Sequence, residues 1–434
     1  MENVLVIGGN LGTNKKIENL NFTKSQLFNI FTTNSEKIFQ FNDRTQIINI
    51  LKRIFEDPKL TYFCEIFFVS EISRRLISSS SLRIRLGVAL FGNQKPIGSA
   101  NFLLFVKHIC KLKTIVLFLA FLYGFFRLPR FLMLSFFRLS NTSVYDFKNL
   151  LEKLRISKLV LLTSGYDNMS FLIQLIHKNL PIQYYMLIDN WDNPSSKSII
   201  PKMYRKIGVW NAQQIEEIKV VSKLDYSKCK VIGSIYADRV YNNYRRNLKV
   251  KPTNRVNHIN KTLLFIGQQN KSDEALEVLN LYKFIKARNS PYNELVYRPH
   301  PISGQNQKIM RIGKWEDLEI ELDLREDIDL REYDGIVCLP TTMLFEVVIS
   351  KVPTIIYIPQ HKSYRRDPFT MWKYMHFNPL KSELPFPLVN NYDMLKKTLK
   401  KEIVAPKNFS NEILDSLFPN FENTYEDRII NLLL

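Results

Sequence analysis

Cysteine is scarce in this chain: Cys64, Cys110, Cys229 and Cys338 are the only four in 434 residues. They form no CxxC pair and no Cys/His cluster, which argues against a zinc module and against a disulfide framework. A reducing compartment fits that usage. The first residues form an apolar strand rather than a charged n-region and an h-region, so no signal peptide is expected. GxGxxG is missing, and so is any recognisable nucleic-acid module; no nucleic-acid partner is expected. The most local absence is of negative charge. Between Glu71 and Asp146 there is no acidic residue at all, although the formal net charge of the whole chain is +20.

That acid-free window carries Arg74, Arg75, Arg83, Arg85, Lys95, Lys107, Lys111, Lys113, Arg127, Arg130 and Arg138. Inside it lies the most apolar run of the chain, 114–126, which includes Phe118 and Phe121. The run is shorter than the roughly 20 residues a spanning helix needs. Lys111 and Lys113 close it on one side, and Arg127 and Arg130 on the other. Basic flanks around aromatic and aliphatic side chains describe a segment lying in an anionic membrane interface. A core helix beside a solvated basic face is the other reading, but it leaves the missing acids unexplained.

The length exceeds one typical core, and 45% hydrophobic with 24% charged residues is ordinary for a globular protein. Short apolar runs alternate with helical patterns. Residues 1–10 read as a short buried strand running into a glycine turn, and Gly8, Gly9 and Gly12 lead into a polar stretch. Further strands are predicted at 159–163, 183–189, 207–210 and 229–234, with helices at 171–178 and 212–223. A polar stretch, 249–261, holds Pro252 and reads as a linker. The alternation then restarts: strands at 263–267, 295–298, 335–339 and 354–358, a helix capped by Ser272, and a helix at 343–350. The expected fold class is α/β, with two doubly wound Rossmann-like domains facing a cleft. The expected domains are 1–248 as the N-terminal, acceptor- and membrane-facing domain and 262–410 as the nucleotide-sugar-binding domain. Residues 411–434 would end in a helix packing back toward the N-terminal domain.

Ligands of such sheets sit beyond the carboxyl ends of the strands, where the polar motifs of this chain fall. Arg298-Pro-His-Pro301 follows an apolar run. Its prolines restrict the loop, so Arg298 can make a bidentate phosphate contact and His300 a second hydrogen bond. An ordinary proline-rich turn with a paired arginine is the structural alternative. Thr341 and Thr342 fall where a strand gives way to a helix, and their hydroxyls could meet a phosphate. Glu346, one turn on, could accept both hydroxyls of a ribose. Simple capping by Thr342 is the alternative there. Asp189-Asn-Trp-Asp-Asn193 places two carboxylates and two amides after a strand, where one aspartate could deprotonate an acceptor hydroxyl; an Asx-turn network would use the same residues. Asp167 is a further carboxylate at a strand end.

At these motifs the chain resembles the GT-B glycosyltransferases that build bacterial surface polysaccharides. Arg298-Pro-His-Pro301 looks like the His-Pro motif of bacterial sialyltransferases and Kdo transferases, whose donors are CMP-sugars. Thr341, Thr342 and Glu346, followed by Val352-Pro-Thr-Ile-Ile356, look like the Ser/Thr-rich segment ahead of a Gly-x-Pro in that superfamily, with Lys351 where glycine is more usual. The stretch 189–238 is similar to transferases related to the CDP-glycerol glycerophosphotransferases, and Asp192 stands where that family has its histidine base. The resemblance covers roughly residues 160–360. It implies a metal-independent transferase without a cofactor, using a CMP- or CDP-linked donor as substrate. Arg298 and His300 would neutralise the leaving phosphate, and Thr341, Thr342 and Pro301 would flank the nucleotide. Glu346 would hold the ribose, and Gly267 and Gln268 would line the donor pocket. Asp192 would be the base, with Gly9, Asp167, Asp189 and Asn193 on the acceptor side. The acceptor would be a lipid-linked or surface glycan, placing the protein at the inner face of the cytoplasmic membrane. A nonhydrolysing UDP-sugar epimerase of the same architecture and a non-catalytic, membrane-bound glycan-binding protein are the rival readings.

Overall fold

In a computed structural model the described residues are 2–8, 17, 20, 28–32, 49–54, 56, 142–163, 167–177, 180–188, 190–191, 193–196, 200–240, 261–268, 274–300, 309, 320–325, 328–359, 368–382, 386–403, 417–419 and 421–434. The basic apolar window with Lys111, Lys113, Phe118, Phe121, Arg127 and Arg130 lies outside them. So do Gly9, Asp189, Asp192, Ser272, Pro301 and the 249–260 part of the expected linker. No helix among the described residues is long and apolar enough to cross a membrane.

The chain divides into two compact units, Met1–Ile235 with Ser416–Leu434, and Tyr236–Asp415. The second unit therefore begins ahead of the polar stretch that the sequence marks as a linker. The reason is local: the Tyr236 hydroxyl donates to Glu346, which ties this part of the chain to the later α/β region.

The first unit holds a six-stranded sheet. Its strands are β1 (Glu2–Gly8), β2 (Phe28–Thr32), β3 (Ile156–Thr163), β4 (Gln183–Ile188), β5 (Lys206–Val209) and β6 (Cys229–Val231), in the order β2-β1-β3-β4-β5-β6. Every pairing is parallel. Parallel strands are covered on both faces, so they read as continuous apolar runs rather than alternating ones, and Val4, Leu5, Val6 and Ile7 are all buried. The Tyr425–Leu433 helix completes this core. Tyr425, Ile429, Leu432 and Leu433 recur at helical spacing and pack with Val4, Val160 and Tyr185. Thr424 caps the helix by accepting from the Asp427 N–H, and Arg428 Nε donates to the Ile232 carbonyl at 2.7 Å.

The second unit repeats the plan with β7 (Thr262–Ile266), β8 (Glu294–Arg298), β9 (Glu321–Leu322), β10 (Gly335–Cys338), β11 (Thr354–Tyr357) and β12 (Leu388–Val389). The order is β12-β11-β10-β7-β8-β9, again all parallel. The chain builds outward from β7 to β9, then returns to the other side of β7. That reversal is a Rossmann order, with its switch point between β7 and β10. Register brings Arg298, Ile266 and Cys338 side by side across β8, β7 and β10. The carboxyl ends of three strands therefore finish level. Two doubly wound, Rossmann-like α/β units are thus present in the chain.

The elements differ from the sequence reading in detail. The 212–223 helix is α-helical over Ala212–Glu217, continues as a π-helical turn over Ile218–Ser222, and ends at Lys223 with φ 51°. The Leu344–Ser350 helix ends at Lys351 with φ 58° and ψ 18°, in the left-handed region. This is the position where the resemblance expected glycine, and the backbone shows why: a Cβ is strained there. Lys351→Gly is expected to raise unfolding free energy by about 1 kcal/mol, because relief of that strain outweighs the added freedom of the unfolded chain. Urea denaturation of both proteins checks it; an unchanged or lowered midpoint would count against the strain.

Candidate functional site

Three strand ends supply the site in the second unit. Gly267 follows β7, and its N–H donates to the Arg298 carbonyl at 2.9 Å. A Cβ on Gly267 would sit 1.9 Å from Glu274 Oε1. Glycine is needed here for space: the carboxylate of Glu274, at the start of the Glu274–Lys286 helix, fills the place of a side chain. Gln268 beside it is buried, and its N–H donates to Glu274 Oε2 at 3.3 Å. The hydroxyl of Tyr297, on β8, donates to the other oxygen.

Arg298 closes β8. Its side chain is 14% exposed and its Nη1 lies 3.3 Å from Oδ1 of Asp323, just past β9. Its Nε reaches Met343 Sδ at 3.4 Å, on the turn after β10. Asp323 is the hub of this edge. It also receives Arg325 Nη2 at 2.8 Å and the Tyr333 hydroxyl at 2.7 Å. Burial alone would raise its carboxyl, but the hydrogen bonds from Arg325 and Tyr333 prevail and hold it down at about 2. A carboxylate that stays ionised holds the Arg298 guanidinium at the strand end.

Thr341 and Thr342 form the turn between β10 and the Leu344–Ser350 helix. Their carbonyls accept from the Leu344 and Phe345 N–H groups at 3.1 and 3.2 Å. The N-cap is Met343, with no side-chain cap hydrogen bond, so the capping alternative for Thr342 does not hold. Glu346 lies in the first turn of that helix. Its Oε1 accepts from Tyr236, and the Arg239 guanidinium stands 5.7 Å from the Tyr236 ring centroid. Arg298, Thr341, Thr342 and Glu346 are thus grouped at the switch point, together with Gly267 and Gln268. His300 follows two residues after Arg298 and is half-buried.

The first unit gives a different picture. Asp167 is the N-cap of the Asn168–Ile176 helix, with Oδ1 accepting from the Ser170 N–H at 2.8 Å and Oδ2 from the Thr163 hydroxyl. Its carboxylate is spent on that cap. Asn193 opens the short Asn193–Ser196 helix. The neighbouring Asn190 and Trp191 carbonyls both accept from Gln214 Nε2, at 3.3 and 2.9 Å. Gln214 Oε1 in turn accepts from the Trp210 N–H at 2.7 Å. Sequence reasoning missed Gln214, Tyr236, Arg239 and Asp323. Asp323 alone left a signal, as the acid ending the alternating Ile320-Glu-Leu-Asp323.

Among the described residues no group of three or more His, Cys, Asp or Glu side chains is placed to hold a metal ion.

No protein-family model and no curated protein matches the chain. Solved structures do. UDP-GlcNAc 2-epimerase of Methanocaldococcus jannaschii, in complex with UDP-GlcNAc and UDP, aligns over 100% of this chain and 99% of its own, at 12% identity and TM-score 0.46. S. aureus MnaA with UDP aligns over 100% and 96%, at 10% identity and TM-score 0.44. The wall teichoic acid polymerase TagF aligns over 66% and 74%, at 11% identity and TM-score 0.36. At these identities the strand order and register of the chain itself carry the fold.

Burial pushes the Glu274 carboxyl up to about 7 from its ordinary 4.5, against the opposing hydrogen bonds of Tyr297 and the Gln268 N–H. The folded state therefore keeps a proton that the unfolded chain releases. The stability this gives is full below about pH 4.5 and is lost as pH rises through 7. The difference in unfolding free energy between wild type and Glu274→Gln should fall by roughly 3 kcal/mol from pH 4 to pH 8. Denaturant titrations across that range check it, and a flat difference would refute the assignment.

Proposed function

We propose that the chain is a metal-independent glycosyltransferase. It moves a sugar, or a glycerol-phosphate-like group, from a CMP- or CDP-linked donor to a lipid-linked or surface glycan acceptor. The observation that carries the proposal is the grouping of Arg298, Thr341, Thr342 and Glu346 at the level strand ends of one Rossmann-order sheet, beside the β7–β10 switch point.

In this reading Arg298 and His300 meet the leaving nucleotide phosphate, so its charge is countered as its bond to the transferred group breaks. Arg298 is suited to this because Asp323 holds its planar guanidinium at the strand end. Thr341 and Thr342 offer hydroxyls to the phosphate, Glu346 accepts from the ribose, and Gly267, Gln268 and Pro301 are assigned to the donor side. Asp192 is assigned as the base that takes the proton from the acceptor hydroxyl, and Gly9, Asp167, Asp189 and Asn193 are assigned to the acceptor side, Asp167 also serving as a helix cap. The nucleotide-sugar is the substrate and no cofactor is called for. The acid-free basic window supports an acceptor held at an anionic membrane on its cytoplasmic side.

A thermal-shift series with CMP, CDP, UDP and GDP tests the donor class, since a ligand of the folded state stabilises it by mass action. Cytidine nucleotides should give the largest shift; stabilisation by UDP or GDP alone would overturn the cytidine assignment. UDP-GlcNAc converted without acceptor would replace the transferase by an epimerase. Arg298→Ala should lower kcat/KM about a hundredfold. It should leave the thermal midpoint of the free protein nearly unchanged, because Arg325 and Tyr333 still satisfy Asp323. Wild-type turnover in that variant would refute the phosphate role.

A further inference from the structure

The Tyr236–Glu346 hydrogen bond joins residues 110 positions apart. It places a hydroxyl donor on the one carboxylate of the site suited to a ribose. Tyr236 is half-buried, and Arg239, three residues on along the helical stretch 235–240, sets its guanidinium 5.7 Å from the phenol ring centroid. Arg298 stands close enough for its charge to act on the same hydroxyl. Burial raises the phenol well above its ordinary range and the Glu346 charge raises it further, against the pull of Arg239 and Arg298. Tyr236 therefore keeps its proton and acts as a donor.

We propose that Tyr236 is an internal surrogate for the donor's ribose: its hydroxyl occupies Glu346 until a nucleotide's sugar hydroxyls displace it. The inference rests on the assignment of Glu346 to ribose and adds a residue that sets ribonucleotide affinity. A phenol O–H and a ribose O–H are the same kind of donor to a carboxylate, and a vicinal diol that spans both carboxylate oxygens competes with the phenol for Oε1. A ligand that brings vicinal hydroxyls replaces the lost bond. A phosphate, or a nucleotide lacking those hydroxyls, does not. Tyr236 thereby moderates the site's affinity for ribonucleotides and leaves its affinity for other anions unchanged. The occupied state also lowers apparent affinity by the fraction of molecules in which Glu346 is open.

Titration calorimetry with CDP and 2′,3′-dideoxy-CDP on the 434-residue wild type and on Tyr236→Phe tests this. Tyr236→Phe keeps the ring beside Arg239 and removes only the competing hydroxyl. CDP should bind the variant on the order of tenfold more tightly than wild type, whereas dideoxy-CDP should bind both equally. Weaker or unchanged CDP binding would make Tyr236 a brace rather than a surrogate, and an equal gain for both ligands would remove the ribose from the argument. Failure of wild type to bind either ligand would instead sink the cytidine-nucleotide reading on which the proposal rests. The wild-type chain offers a second readout that does not depend on the variant folding. CDP should shift tyrosine absorption as the phenol leaves the carboxylate, and dideoxy-CDP should not; equal spectra for the two would overturn the proposal.

Discussion

An arginine at the buried end of a strand has to be answered by a carboxylate, and in this chain Asp323 answers Arg298. The pair is 3.3 Å apart with the carboxylate almost fully buried. A lone buried charge of either sign would be costly. Asp323 escapes that cost by taking further hydrogen bonds from Arg325 and Tyr333. The result is a guanidinium fixed in direction at the switch point of a doubly wound sheet. Everything assigned to the site depends on that fixed cation: the turn of Thr341 and Thr342, the carboxylate of Glu346, and the phenol of Tyr236 are grouped around it.

The sheet supplies the other half of the arrangement. Parallel pairing in register puts Arg298, Ile266 and Cys338 level, so residues far apart in sequence leave their strands at one height. Small steric demands then shape the end of β7. Gly267 admits the Glu274 carboxylate where any side chain would collide with it, and the same carboxylate receives the Gln268 N–H. The lining of the site and the protonation of a buried acid are in this way one structural feature.

Much of the fold was legible in the sequence because parallel strands buried on both faces must read as apolar runs. Leu263-Leu-Phe-Ile266 and Gly335-Ile-Val-Cys338 became β7 and β10. The strand-end motifs were legible for the same reason, since each polar motif directly follows such a run. What the sequence did not disclose were partners brought together by the fold. Tyr236 meets Glu346 across 110 positions and Arg298 meets Asp323 across 25, and no local spacing encodes either. The capping role of Asp167 was not read from the sequence. A carboxylate at a strand end also precedes a helix, and here the Ser170 N–H claims it as a cap. The π-helical turn at Ile218–Ser222 followed from no pattern in the sequence.

The central claim is that the level strand ends around Arg298 hold a nucleotide, and the most direct measurement is a crystal structure of the chain with bound CDP. The account predicts a phosphate oxygen within hydrogen-bond reach of the Arg298 guanidinium, a ribose hydroxyl on Glu346, and the Tyr236 hydroxyl moved off that carboxylate. Density for CDP elsewhere, with the Tyr236–Glu346 bond intact and Arg298 touching no phosphate, would contradict it.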